Sequence, residues 1–150
     1  MNLDTYKYTI DESILSFEFY SEGPNGRVKK IVRFSPRNSH GVTYFNLGFG
    51  DWNAGVNQVD DRIITNNQDR DKILATVALT VLDFTRQFPD VIVYARGSTP
   101  ARTRLYQISL AINWEEIDRI LQVYGFKNGK WHSFEKNINY EAFLIKRKKL

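Results

Sequence analysis

One stretch of the chain, residues 69–106, limits the possible folds more than any other, because it predicts a helix, a strand and a second helix in succession. Apolar residues recur at helical spacing over residues 68–88 and cover most of that helix's surface. The continuous apolar run 91–95 predicts a strand buried on both faces. Gly97 ends this strand, and Ser98-Thr99-Pro100 is typical of a capped helix start. A strand between two helices needs crossover connections, so we expect it to run parallel to a neighbouring strand.

The first half of the chain predicts strands. Apolar and polar residues alternate over three segments, 14–20, 27–34 and 42–49. Asn25-Gly26 lies between the first two segments and is typical of a hairpin turn. Residues 36–41 are polar and predict a loop before the third segment. These patterns together predict an N-terminal antiparallel meander.

The sequence after residue 112 predicts a short helix and then strands. Asn113, followed by two glutamates, is typical of a helix start. Asn128-Gly129 predicts a tight hairpin turn, and residues 140–145 predict a last strand before a basic tail at 146–150. We therefore predict one domain, residues 1–150, of the α/β (α+β) class. Its single mixed, twisted sheet would hold the meander, then the helix–strand–helix unit, then a C-terminal hairpin.

Composition excludes several classes of protein. The chain has no cysteine, which excludes disulfides and thiolate metal sites. The formal net charge of +4 comes entirely from the four basic residues at 146–149, since the remaining 17 Lys and Arg equal the 17 Asp and Glu. Charge alone therefore does not indicate a polyanion partner. Neither a signal peptide nor an apolar run of about 20 residues is present, so we expect a cytoplasmic protein without a membrane partner.

The corner at residues 97–104 carries the strongest functional signal. A helix N-terminus offers unpaired N–H groups and the positive end of the helix dipole, which together bind anions. We expect the anion-binding residues to be Arg96, Ser98, Thr99, Arg102 and Arg104. Their ligand would be a phosphate or a carboxylate. The structural alternative is a capped helix whose arginines pair with nearby acids.

Acids and amides gather in and after the segment 50–67, which predicts a long loop, either functional or mobile, with a short strand around residues 62–65 as a further option. They are Asp51, Asp60, Asp61, Asn66, Asn67, Asp69 and Asp71. Oxygen-rich sets can bind Mg²⁺, but this spacing matches no calcium-binding loop, and we predict no metal. Solvated turns and helix caps explain such residues, with Asn67 or Asp69 capping the long helix. These acids could also neutralise the arginines of the 97–104 corner.

A second cationic cluster is predicted on one strand face. It comprises Arg27, Lys29 and Arg33, with Tyr20, Tyr44 and Trp52 as expected neighbours. Cations between aromatic rings on a sheet can follow a phosphate backbone while the bases stack. The structural alternative is that charged side chains protect an exposed sheet from aggregation.

Motifs for nucleophilic or acid–base catalysis are absent from the sequence. His40 and His132 have no evident serine or cysteine partner, and the chain has no Walker loop, Gly-x-Ser-x-Gly elbow or His-Glu-x-x-His motif. Glu115-Glu116 fits the dipole of a first helical turn. We therefore predict no cofactor and leave open whether the protein is an enzyme.

Two patterns point to known families. Leu105-Tyr106, Tyr124-Gly125-Phe126 and the order of elements over residues 42–145 resemble the later part of the Gcn5-related N-acetyltransferase fold. That resemblance implies a transferase-like architecture, although the family's N-terminal helix pair and its Gly-rich pyrophosphate loop are not matched. The phrases at 44–51 and 97–106 are similar to a family of uncharacterised proteins of Bacteroidota-type bacteria, which implies no function.

We hypothesise that the protein binds a phosphate-bearing ligand, either nucleic acid or a nucleotide. The 97–104 corner would hold the anion, and the strand face of Arg27, Lys29 and Arg33 would extend the contact. The first alternative is a transferase-like enzyme, acetyltransferase-like or part of a toxin–antitoxin or defence module, in which the loop from Asp51 to Asp61 closes over the substrate. The second is a homodimeric interaction domain that pairs through an aromatic sheet face.

Overall fold

A single mixed sheet packs against two main helices in the computed structural model, which describes residues 4–11, 13, 15–53, 58–60 and 67–149. The strands are β1 (Thr9–Ile10), β2 (Ser16–Gly23), β3 (Gly26–Ser39), β4 (Val42–Asn53), β5 (Gln58–Asp60), β6 (Ile92–Ala95), β7 (Leu121–Lys127), β8 (Lys130–Ser133) and β9 (Ala142–Arg147). The helices are α1 (Arg70–Gln87), α2 (Pro100–Ile112) and α3 (Trp114–Ile120). None of the described helices is long and apolar enough to cross a bilayer.

The strand order is β1-β2-β3-β4-β6-β9-β7-β8, and β5 also pairs with β4. Every pairing is antiparallel except that of β4 with β6, which is parallel. Helix α1 connects these two strands, which confirms the predicted crossover. The predicted α+β class, the mixed sheet and the N-terminal meander are confirmed. The predicted C-terminal hairpin is formed by β7 and β8, while β9 lies between β6 and β7.

Both main helices cover the same face of the sheet, which we call the helix face. The ring of Phe84 in α1 stacks on Phe34 at 4.0 Å and meets Phe45 edge-on at 5.3 Å. Helix α2 lies beside α1, where the Ser109 hydroxyl donates a 2.6 Å hydrogen bond to the Leu74 carbonyl. We call the opposite side of the sheet the open face.

The predicted loop at residues 36–41 is wrong for most of its length. Strand β3 continues through Pro36 to Ser39, and the turn is only His40 and Gly41, which both have positive φ. The neighbouring Phe34 N–H points to β2, where it donates to Leu15, so the nitrogen of Pro36 points to the same side. Strand β2 begins at Ser16, opposite Arg33, so no partner strand lies there and proline costs no ladder hydrogen bond.

Two further sequence expectations need correction. Strand β6 is not buried on both faces, because Val93 and Ala95 are buried on the helix face while Ile92 and Tyr94 are half-buried on the open face. Asp69 occupies the N-cap position of α1, but its side chain makes no capping hydrogen bond. Its carboxylate instead accepts hydrogen bonds from the hydroxyls of Tyr6 and Ser21.

Strands β3 and β4 share a buried ion pair on the helix face. The ammonium of Lys30 contacts the carboxylate of Asp51, and both residues are buried. An ion pair out of water is held by its own attraction, and removal of one partner leaves an uncompensated buried charge. This pair therefore makes the β3–β4 pairing sensitive to the loss of either residue.

We expect Lys30→Met to destabilise the protein by about 3–5 kcal/mol, because Asp51 would keep a buried charge without its cation. The double variant Lys30→Met/Asp51→Leu should recover a large part of that loss. The control is the neighbouring Lys29→Met, whose partly exposed pair with Glu18 should contribute no more than about 1 kcal/mol. Urea unfolding measures all three, and equal losses for Lys30→Met and Lys29→Met would contradict the prediction.

The N-terminal segment 4–11 lies along α1 through two tyrosines. The Tyr6 hydroxyl donates to Asp69 at 2.5 Å, and the Tyr8 hydroxyl donates to Asp83 at 2.7 Å. Burial raises the pKa of both phenols, and the adjacent carboxylates raise it further. A folded-state pKa above the unfolded value means that the stabilisation is complete below the unfolded pKa and is lost as pH rises.

We expect Tyr6→Phe/Tyr8→Phe to be less stable than the wild type at neutral pH, because two hydrogen bonds are lost. The difference in unfolding free energy should narrow above about pH 10, where the phenols of the unfolded wild type begin to lose their protons while those of the folded protein keep them. Urea unfolding at a series of pH values measures this difference. A difference that stays constant from neutral to strongly alkaline pH would contradict the prediction.

Candidate functional site

A cleft opens where β4 and β6 part. Their parallel pairing ends at Leu47 and Ala95, because β6 stops there while β4 continues to Asn53. Strand β5 pairs with β4 only from Asp51 onwards. The edge of β4 over residues 48–50 therefore faces a gap between β6 and β5, with no described strand paired to it.

The backbone of Phe49 points into this gap. The Phe34 N–H donates to Leu15 in the direction of β2, so Leu47, which is opposite Phe34, has its own backbone groups directed to β6. The N–H and C=O groups of successive residues point to alternate sides of a strand. Those of Phe49 therefore point to the same side as those of Leu47. No described strand pairs with Phe49 on that side, and a strand edge of this kind can pair with an extended ligand as with a neighbouring strand.

The cleft encloses a cavity of about 410 Å³. It is lined by Asn46, Leu47, Gly48, Phe49, Tyr94, Arg96, Gly97, Ser98 and Tyr106. Leu47 and Phe49 project on the helix face, whereas Tyr94 projects on the open face, so the cavity is walled from both sides of the sheet. Arg96 brings positive charge, and Asn46, Ser98 and Tyr106 bring polar groups.

The corner between β6 and α2 is built by close backbone packing. The Gly97 N–H donates to the Thr103 hydroxyl at 3.0 Å, and the Thr99 hydroxyl accepts from the Arg102 N–H at 3.2 Å. The predicted cap is therefore formed by Thr99, with Pro100 at the first helical position. Because this cap already uses one first-turn N–H and proline has none, the helix end offers fewer donors than the sequence suggested.

The structure brings only part of the predicted anion set to the cleft. Arg96 and Ser98 line the cavity, and Thr99 serves as the helix cap. Arg102 lies next to Gly97, where a Cβ on the glycine would be 2.4 Å from the Arg102 Cβ. Arg104 instead donates to the side chain of Asn139, in the loop before β9.

The predicted cationic strand face is present on the open face, but acids accompany it. Arg27 lies over the Tyr20 ring at 3.8 Å and within 3.8 Å of Glu22. Lys29 pairs with Glu18 at 3.3 Å. Of the remaining predicted members, Arg33 donates to Ser16 at 3.1 Å, Tyr44 packs against Tyr94, and the side chain of Trp52 lies outside the described part of the chain.

The acids and amides of the predicted loop do not form one cluster within the described residues. Asn67 donates to Ser21 and to the Gly26 carbonyl, which fastens the β2–β3 hairpin to the start of α1. Asp69 bonds to Tyr6 and Ser21, and Asp71 to Arg70, not to the corner arginines. Asp61, Asn66 and the side chain of Asp60 lie outside the described residues. The described residues contain no group of three His, Asp or Glu placed to hold a metal ion.

Sequence reasoning missed most of the wall that β4 and β6 contribute to the cavity. Asn46, Gly48, Phe49 and Tyr106 entered the sequence analysis only through the family resemblances, which imply no binding role for them, and Tyr94 carries no motif. Two features of the sequence could have located this wall. Residues 91–95 predict a strand with a parallel neighbour, and Gly97 ends that strand. A long strand beside a short parallel one leaves an edge that the shorter strand does not pair, and the cavity lies beside that edge.

We expect Gly97→Ala to destabilise the protein by about 1–3 kcal/mol, because the new methyl would press on Arg102 and the Thr103 nitrogen and shift the start of α2. The matched control is Gly48→Ala, in the same cleft, where the nearest atom to a new Cβ is 3.8 Å away. That change should cost no more than about 0.5 kcal/mol. Thermal unfolding of both variants tests the prediction, and equal losses would contradict it.

No curated protein and no solved structure matches this chain. Residues 2–148 match the sequence profile described as a family of unknown function, DUF6934. The match covers almost the whole of the chain, including every residue that lines the cleft. The chain therefore belongs to this family of unknown function.

Proposed function

We propose that this protein binds a small phosphate-bearing ligand in the cleft between β4 and β6. One observation carries the proposal, namely that the edge of β4 at Phe49, with which no described strand pairs, lines the same cavity as Arg96 and Ser98. An extended ligand can pair with the strand edge, while its anionic group contacts the guanidinium and the hydroxyl. The cavity of about 410 Å³ is within the usual size range of small-ligand sites.

The cleft is better suited to this role than the strand face of Arg27, Lys29 and Arg33. Glu22 and Glu18 accompany the first two cations, so much of the positive charge there is neutralised. In the cleft, Arg96 is exposed and lines a concave site, where a ligand loses more contact with water and charge interactions are stronger. A nucleotide-sized ligand is therefore favoured over a polymer at this site.

An acetyltransferase-like enzyme is the second candidate, and the position of Tyr106 favours it. The Tyr106 side chain is buried and lines the cleft opened by the parallel β4–β6 pair. An acyl coenzyme has an amide-bearing arm that can pair with a strand edge, and its thiolate leaving group needs a proton that a phenol can donate. Its phosphates would need a site away from the start of α1, where the Asp69 carboxylate would repel them.

The experiment is a thermal-shift and calorimetric titration with adenine nucleotides, guanine nucleotides and acetyl coenzyme A. One compound class should stabilise the protein by an amount that rises with the logarithm of its concentration and reaches about 2.7 kcal/mol at a hundredfold excess over its Kd. Arg96→Ala should weaken binding at least about tenfold, because a charged hydrogen-bond donor is lost. The control Arg104→Ala removes an arginine that bonds to Asn139 and does not line the cavity, and it should bind like the wild type.

Stabilisation by no compound, or equal weakening by Arg96→Ala and Arg104→Ala, would overturn the proposal. If acetyl coenzyme A is the ligand, release of free thiol in the presence of amine acceptors tests the enzymatic candidate. Tyr106→Phe should then slow thiol release while the affinity for the coenzyme changes little. Binding of nucleotides without thiol release from acetyl coenzyme A would favour the binding protein over the acetyltransferase-like enzyme.

A further inference from the structure

A row of aromatic rings crosses the open face of the sheet. Tyr44 of β4 meets Tyr94 of β6 at 5.8 Å, Tyr94 meets Trp131 of β8 at 6.4 Å, and Trp131 meets Phe126 of β7 at 5.0 Å. We call these four residues the aromatic row. Each contact is edge-on or tilted, and the side chain of Trp131 reaches back over the sheet towards β6.

The aromatic row is accessible to a partner. Trp131 is 40% exposed, and the other three rings are half-buried. Helices α1 and α2 lie on the opposite, helix face, where Phe34 and Phe45 pack against Phe84. Large rings held on a rigid sheet lose little conformational entropy on binding, so they suit the recognition of flat partners.

Basic residues lie beside the aromatic row on the open face. Strands β6, β7, β8 and β9 contain no acidic residue. Arg37 lies opposite Tyr44 in the register, and Lys146 follows Leu144, the partner of Tyr94, on the same face; both cations are exposed. The acids Glu18 and Glu22 belong to β2, on the far side of β3.

This charge pattern decides between two possible partners. A second copy of the chain, packed through the same face, would bring the cations of the two copies close together, and like charges disfavour such a contact. Single-stranded nucleic acid offers the complement, because its phosphates are negative and its bases present flat faces for stacking. We infer that the aromatic row binds single-stranded nucleic acid, with Trp131 as the principal stacking residue and Arg37 and Lys146 as phosphate contacts.

This inference is independent of the ligand proposed for the cleft. Tyr94 borders both sites, but Trp131 and Phe126 do not line the cavity. Substitution of Trp131 therefore tests the aromatic row alone, whereas Arg96→Ala tests the cleft. The two proposals can therefore fail separately. Single-strand binding that Trp131→Ala leaves unchanged contradicts the aromatic row, and nucleotide binding that Arg96→Ala leaves unchanged contradicts the cleft.

The test is fluorescence anisotropy with labelled single-stranded oligothymidine and oligouridine of about 12 nucleotides, and with a duplex of equal length. The full chain should bind the single strands more tightly than the duplex, whose bases are already stacked. Trp131→Ala should weaken single-strand binding by about tenfold or more, while Trp131→Phe should keep most of the affinity because a ring remains. Lys146→Ala should reduce the slope of the logarithm of the affinity against the logarithm of salt concentration, measured between about 50 and 200 mM. The reduction should correspond to about one phosphate contact.

Matched controls lie elsewhere on the surface. Phe88→Ala removes a ring that is 37% exposed at the end of α1, and Lys7→Ala removes an exposed cation on the N-terminal segment. Both should bind single strands like the wild type. The inference is overturned by equal effects of Trp131→Ala and Phe88→Ala, or by no binding of either single strand at low salt. It is also overturned by dimers in sedimentation that Trp131→Ala dissociates, which would identify a second copy as the partner.

Discussion

The short parallel contact between β4 and β6 is the constraint on which the rest of the structure depends. Helix α1 returns the chain to the sheet beside β4, and this crossover makes the two strands parallel. The contact ends at Ala95 because α2 begins immediately over Gly97, which leaves no room for a side chain. Over residues 48–50 no described strand pairs with this edge of β4, and the cavity lies beside it. The cavity forms because β4 is longer than β6, and the close packing at Gly97 keeps β6 short.

The position of both main helices on one face has a second consequence. Apolar residues on the helix face, such as Phe34 and Val93, are fully buried, whereas the open face is covered by aromatic and charged side chains. The distribution of acids then divides the open face into two parts. Towards β2, Glu18 and Glu22 accompany the cations, whereas strands β6 to β9, of which β9 carries Lys146, contain no acid. The part of the sheet best suited to a polyanion is therefore not the part with the most arginines and lysines.

Sequence patterns predicted the elements whose causes are local. Helical periodicity placed α1, Pro100 and Thr99 placed the start of α2, and Asn128-Gly129 placed a turn that requires positive φ. The errors arose where a distant partner decides the conformation. Pro36 lies within β3 because β2 begins at Ser16 and has no residue opposite the proline. Asp69 does not cap α1 because its carboxylate accepts hydrogen bonds from the hydroxyls of Tyr6 and Ser21, which belong to earlier segments. Arg104 does not line the cavity for the same reason, because it donates to Asn139, which lies 35 residues further along the chain.

Tyr94 joins the two surfaces, because its side chain lines the cleft and also contacts the rings of Tyr44 and Trp131. Its position is set by β6, whose neighbours β4 and β9 hold it on both sides. A rigid strand cannot move one of these surfaces without the other, so a ligand that reorients the Tyr94 ring in the cleft would alter the edge-on contact with Trp131. Any such coupling must be reciprocal, because it acts through the free energy of a shared residue. The cleft and the aromatic row are thus connected through the Tyr94 ring.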